Sequence, residues 1–222
     1  MKINWTIGKL SLFLIFSVAA LSCISAENSI KNKKLRKGWI SLFNGKNLSG
    51  WTELEGKTKF EAKDGQIIAT TYPNNVNSML CTNQSYENFI LEADVKVDSP
   101  LNSGIQVRSH LNEKGEVYGL QIEVDPSSRA WSGRVYDCRR RNWAITPMEK
   151  LGNQNAFKNG KWNHYRIRYA GDTLESWING IHIATFVDTL PEPHGFIALQ
   201  VDGQRQGELR VRFKNIRIKL LK

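Results

Sequence analysis

The chain has 222 residues, with 31 Lys or Arg against 21 Asp or Glu, a formal charge of +10 and three cysteines. That length suits one β-rich domain after an N-terminal leader and leaves little for a second. The positive balance is concentrated where no fold is expected, in Lys2, Lys9 and the run Lys31, Lys33, Lys34, Arg36 and Lys37. No recognised nucleic-acid motif accompanies it, and nucleic acid is a poor partner for a chain that reads as exported, so none is expected.

Residues 1–22 read as a secretory leader: Lys2 and Lys9 flank an apolar run from Leu10 to Leu21, and small residues follow. The run is short for a membrane span of ~20 residues. Ala20-Leu21-Ser22-Cys23 approximates a bacterial lipobox and predicts lipidation of Cys23, with cleavage near Ser25 or Ala26 as the competing outcome. Residues 23–37 are then a basic tether, lying against anionic lipid or standing as a solvated linker. The expectation is an exported protein of the periplasm or outer membrane, touching membrane only through a lipid anchor. Residues 38–222 remain for the fold. Cys81 and Cys138 are read as separate thiols, with a disulfide the alternative that export permits. No C-x-x-C or H-x-x-x-H spacing argues for zinc.

From residue 38 onward almost every segment reads as strand and turn. Phe89, Leu91, Ala93, Val95 and Val97 alternate with Ile90, Glu92, Asp94 and Lys96. Ile105 and Val107 alternate with Gln106, Arg108 and His110. Tyr118, Leu120, Ile122 and Val124 alternate with Gly119, Gln121, Glu123 and Asp125. The stretch from Trp162 to Phe186 reads as two hairpins, the second turning at Asn179-Gly180. Ile197, Leu199 and Val201 alternate with Ala198, Gln200 and Asp202. The last strand changes parity between Phe213 and Ile216, which predicts a bulge near Asn215. Turns at Asp64-Gly65, Asn102-Ser103-Gly104, Asn159-Gly160, Gly171-Asp172 and Asp202-Gly203 separate these runs. No long stretch holds a helical period. The expected fold is all-β, a two-sheet antiparallel sandwich or jelly roll.

Function has to sit on the polar faces, because alternate residues of each strand belong to the core. Three stripes stand out: Gln106, Arg108 and His110; Gln121, Glu123 and Asp125; Gln200 and Asp202. They merge into one surface if their strands are neighbours. The segment after Asp125 adds Trp131, Tyr136, Asp137, the run Arg139–Arg141 and Trp143, a mixture that a sugar-handling cleft needs. Glu123 and Asp125 at i, i+2 place their Cβ atoms roughly 6.5–7 Å apart on one face. Arg108 could hold one carboxylate ionised while burial raises the other. A cross-strand Glu123–Arg108 ion pair is the structural alternative. Packing is the alternative for Trp131 and Trp143, and His110 is the histidine best placed for a functional role.

The pieces GWISLFNGKNLSGW, NSGIQVR, YGLQIEVDPSSRAWSGRVYD, GKWNHYRIRYAGDTLESWINGI and GFIALQVDG with VRFKNIRIK, in that order, resemble the 3-keto-disaccharide hydrolase domain family. The resemblance runs from Gly38 to Lys219 and implies a concanavalin A-like lectin/glucanase fold. It also implies cleavage of glycosides whose C3 hydroxyl a separate sugar 3-dehydrogenase has oxidised. A C3 ketone acidifies the C2 proton. A base can remove it, the C1 substituent leaves by β-elimination, and water adds back. Such a site needs a base of suitable pKa and donors or a cation for the enolate oxygen. Hydrolysis between two carboxylates is the other route. Glu123 is the candidate base, Asp125 a metal ligand or orienting group, and Arg108 the charge stabiliser. Gln106, His110, Gln121, Trp131, Tyr136, Asp137, Arg140, Trp143, Gln200 and Asp202 are candidate substrate contacts. A divalent cation among Glu123, Asp125 and Asp137 is chemically possible but lacks a diagnostic spacing. Three positions depart from the family pattern: Cys138 stands where an acidic residue is usual, Arg134 where glycine is common, and Asp202 where histidine is frequent. A non-catalytic glycan-binding module of a glycan-uptake system is the alternative.

Overall fold

The structure, a computed structural model, describes residues 38–72, 76–143, 155–203 and 207–222. The expected leader, Cys23 and the basic tether lie outside the described residues. The chain divides into units 1–39 and 40–222, and the fold belongs to the second. Its strands are β1 (Trp39–Ser41), β2 (Trp51–Leu54), β3 (Phe60–Lys63), β4 (Gln66–Thr70), β5 (Ser78–Tyr86), β6 (Phe89–Val97), β7 (Ser103–Leu111) and β8 (Val117–Val124). They continue with β9 (Val135–Cys138), β10 (Asn142–Trp143), β11 (Asn163–Ala170), β12 (Thr173–Ile178), β13 (Ile181–Val187), β14 (Gly195–Val201) and β15 (Arg210–Leu220).

Two antiparallel sheets result. One has the order β13-β12-β11-β6-β15-β4-β3, with β1 on β15; the other runs β10-β9-β8-β7-β14-β5-β2. This is the jelly-roll sandwich expected from the alternation. Strand β11 shows why: every second residue, from Asn163 to Tyr169, is buried and the intervening ones are half-buried. The inner faces meet in one core, where Phe89, Leu91, Tyr165, Tyr169 and Phe213 pack with Ile105, Leu120, Ile122, Ile197 and Leu199. Each such side chain contributes roughly 1.5–3 kcal/mol by leaving water.

The turn chemistry acts as read. Asn179-Gly180 joins β12 to β13 with both residues at positive φ, 52° and 82°, and Asp64-Gly65 joins β3 to β4 the same way. Those dihedrals match the twist of tight hairpins. The bulge expected in the last strand is present: the β15–β6 register shifts between Lys214 and Arg217, and Asn215 has φ 52°.

One irregularity decides where functional side chains point. The β7–β8 register shifts between Val107 and His110, with Arg108 at φ 46°. Two glycines make room for this bulge. A Cβ on Gly119 would meet Ser109 Oγ at 2.7 Å, and one on Gly195 would meet the Arg108 carbonyl carbon at 2.3 Å. Alternation cannot be carried across a bulge, because the extra residue reverses the parity.

Candidate functional site

Residues directly opposite one another in a sheet share a face, so the register locates the polar stripes. One row reads Cys81–Ala198–Gln106–Gln121–Tyr136 across β5, β14, β7, β8 and β9. The next row reads Met79–Gln200–Gly104–Glu123. Both lie on the face turned away from the inter-sheet core. The face is nonetheless shielded: Gln106 is 0% exposed, Gln200 2%, Glu123 4% and Gln121 5%. The sequence-predicted Gln106, Gln121, Glu123 and Gln200 are therefore brought together.

Glu123 is the chemical centre of this surface. Gln121 Nε2 donates to its Oε1 at 2.7 Å, and Asn102 Nδ2 donates to Oε2 at 3.2 Å. Burial nevertheless dominates and pushes the Glu123 carboxyl up to about 7, with the nearby Asp125 charge adding to the rise. The two amide hydrogen bonds and Arg129 oppose that rise. A carboxyl near 7 exchanges protons in the neutral range, which a carboxyl at its ordinary value does not.

Asp125 turns to its own loop. Its Oδ1 accepts from the Ser127 N–H at 2.9 Å, and its Oδ2 pairs with Arg129 at 3.0 Å. The Arg129 guanidinium in turn lies 4.2 Å from the centre of the Trp131 ring. Ser132 Oγ braces the Asp125 backbone, accepting from its N–H and donating to its carbonyl. The loop so folded places a cation, an indole and a carboxylate just beyond the end of β8. Tyr136 sits on the Gln121 face, and its hydroxyl donates to Asn142 Oδ1 at 3.2 Å. Asp202 follows β14, where its N–H donates to the Asn102 carbonyl at 3.2 Å.

Four sequence expectations are corrected. Arg108 does not meet Glu123. The bulge turns it toward the other sheet, where its guanidinium stacks 3.7 Å from the Tyr169 ring centre. It donates there to the carbonyls of Glu87, Gly171 and Glu192 and to Asn88 Oδ1. Its backbone lies beside Gly119, four residues from Glu123, or roughly 13 Å along the strand. His110 is opposite Tyr118, stacks on it, and bonds the His194 carbonyl at 2.6 Å, again far from Glu123. Asp137 pairs across from the core residue Leu120, so it faces inward. There Arg140 and Arg141 neutralise it, and Arg141 also bridges to Asp188 at 2.7 Å. Arg140, bonded to Asp137 and Glu192, belongs to that cluster too.

The proposed cation triad of Glu123, Asp125 and Asp137 is thereby broken up. Among the described residues no group of three or more His, Cys, Asp or Glu converges to hold a metal. Trp143 pairs with Tyr136 in the β9–β10 ladder, but its side chain lies outside the described residues. Cys81 and Cys138 are free, buried thiols. Sequence reasoning missed Asn102, Gly104, Ser109 and Arg129 as neighbours of this surface. Asn102 and Gly104 were read only as a turn, and the pairing of Gly104 with Glu123 is what gives them a place.

A family model, the 3-keto-alpha-glucoside-1,2-lyase-like domain, matches residues 38–219. No curated protein matches the chain. Among solved structures, a candidate glycosyl hydrolase from Parabacteroides distasonis is similar at 22% identity and TM-score 0.62, covering 84% of this chain and 95% of its own. A Bacillus subtilis protein with a galectin-like fold is similar at 10% identity and TM-score 0.57, covering 77% and 89%. The carbohydrate-binding module CBM66 from Bacillus subtilis is similar at 14% identity and TM-score 0.51, covering 77% and 95%. At these identities the likeness is one of fold. The family and these neighbours support a carbohydrate-related function.

Proposed function

The chain belongs to the 3-keto-alpha-glucoside-1,2-lyase-like domain family, and from that premise we propose that it cleaves 3-keto-glycosides by removing the C2 proton. The observation that carries the reading is Glu123, a shielded carboxyl raised to about 7 on an otherwise amide-lined face. In its ionised form it accepts the C2 proton, and the C2–H pair becomes the enolate of the C3 ketone. Collapse of the enolate forms the C1–C2 double bond and expels the C1 oxygen with its electron pair. Water then adds back to give the free 3-keto sugar.

Arg129, held by Asp125 and Trp131, takes the charge-stabilising role expected of Arg108. Trp131 offers the apolar surface on which a sugar ring stacks. The substrate implies a sugar 3-dehydrogenase acting earlier, and from the leader-like pattern of residues 1–22 we infer export and a lipid anchor at Cys23. A binding module without turnover is the second reading, favoured by the Arg129–Trp131 stack.

The test uses two glucosides with the same chromogenic leaving group, one oxidised at C3 and one not. Release from the keto substrate alone, lost in Glu123→Gln, supports the enzyme. Binding of both without release supports the module.

A further inference from the structure

The hydrogen bonds behind Glu123 run in one direction. Ser109 Oγ donates to Gln106 Oε1 at 3.0 Å, Gln106 Nε2 donates to Gln121 Oε1 at 3.2 Å, and Gln121 Nε2 donates to Glu123 Oε1 at 2.7 Å. An amide has one donor end and one acceptor end, so fixing one group in such a chain fixes the next. An ionised carboxylate only accepts, and it therefore sets the polarity of the whole row. Each bond polarises its neighbour where water is excluded, and Gln106 and Ser109 are both 0% exposed. The row also has a made seat. A Cβ on Gly104 would lie 2.4 Å from Gln121 Cδ, so only glycine lets the Gln121 side chain lie across β7.

We propose that Ser109, Gln106 and Gln121 form a positioning relay that holds the Glu123 carboxylate in one orientation and favours its ionised form. Gln106 and Gln121 then support the base rather than contact the sugar. The relay bears on catalysis only through the reading of Glu123 as base, but its own existence does not depend on that reading. It also gives the bulge a purpose, since the register shift is what returns Ser109 to the face of Gln106.

Other groups near Glu123 have to be held constant in any test. These are Asp125 and Arg129 on the loop after β8, Tyr136 and Cys138 on β9, and Tyr165 on β11, whose hydroxyl donates to the Glu123 carbonyl at 3.2 Å. Arg134 is joined to Glu123 through the backbone. Gln106 also bonds Cys138, so Ser109→Ala is the cleaner remote change.

The experiment is a pH titration of the Glu123 carboxyl carbon by NMR in the full chain, assigned by its loss in Glu123→Gln. Gln121→Leu and Gly104→Ala should each raise the titration midpoint by roughly half to one pH unit, the worth of one hydrogen bond. Gln106→Leu and Ser109→Ala, which do not touch Glu123, should raise it by progressively less. In turnover of the keto substrate the same variants should lower kcat with little change in KM. Midpoints unchanged in both Gln106→Leu and Ser109→Ala would overturn the relay, leaving the Gln121 bond alone. Graded midpoints in a protein that cleaves no keto substrate would keep the relay and reject the reading of the reaction.

Discussion

Replacing Glu123 by Gln should make the folded chain less sensitive to rising pH. Burial raises this carboxyl from an ordinary 4.5 to about 7, so the folded chain holds the proton more firmly than the unfolded chain does. The associated stability is complete below about pH 4.5 and is lost as pH rises through about 7. The interval between those values, at about 1.4 kcal/mol per pH unit, amounts to about 3 kcal/mol. For a domain of this size that corresponds to roughly 6–12 °C in Tm. Other groups titrate as well. Glu92, Asp94 and Asp188 are held below their ordinary values, so their stability is lost only as pH falls through those lowered values. His164 is raised, mainly by its bond to Asp94, and its contribution drains over an overlapping range. The comparison is therefore between two chains. Thermal unfolding of wild type and Glu123→Gln at pH 5 and pH 8 should show the variant gaining on the wild type by most of that interval, since pH 5 already lies above 4.5. A Tm difference equal at both pH values would refute the raised carboxyl.

Arg108→Leu should cost roughly 2–4 kcal/mol, because it strips donors from three carbonyls and from Asn88. Activity per folded molecule should survive, and a large loss of kcat in folded protein would return Arg108 to the site. Trp131→Ala should raise KM for the keto substrate about tenfold through lost stacking, while unchanged KM would make the indole a partner of Arg129 only. Cys81, pushed up to about 12 by burial and Glu55, and Cys138, also raised mainly by burial, should resist maleimide in the native chain and react once it is denatured. Peptide mass mapping would locate the labels, and a Cys81–Cys138 disulfide would contradict the free thiols.

Alternation made the sandwich readable, since every second residue from Phe89 to Val97, Leu120 to Val124, Tyr165 to Tyr169 and Ile197 to Val201 lies in the inter-sheet core as its parity predicts. It also put Gln121 and Glu123 on the outer face of β8, and the parity break near Asn215 was legible because the apolar residues themselves changed step. The bulge at Arg108 was not legible, because Arg, Ser and His are all polar and no apolar residue marks the slip. Only Gly119 and Gly195, each a strand or more away, record it. Asp137 was misplaced for a related reason: β9 has four residues, too few for alternation to fix which face is inward. Asn102 and Ser109 needed the strand pairing, which no local pattern contains.

The most direct test of Glu123 as the C2 base is deuterium exchange. A 3-keto-glucoside incubated with the protein in D2O would be followed by proton NMR at C2. Solvent deuterium should enter C2 of the released 3-keto sugar with wild type, and neither release nor incorporation above background should occur with Glu123→Gln. Cleavage that leaves the C2 proton in place, or exchange that persists in Glu123→Gln, would contradict it.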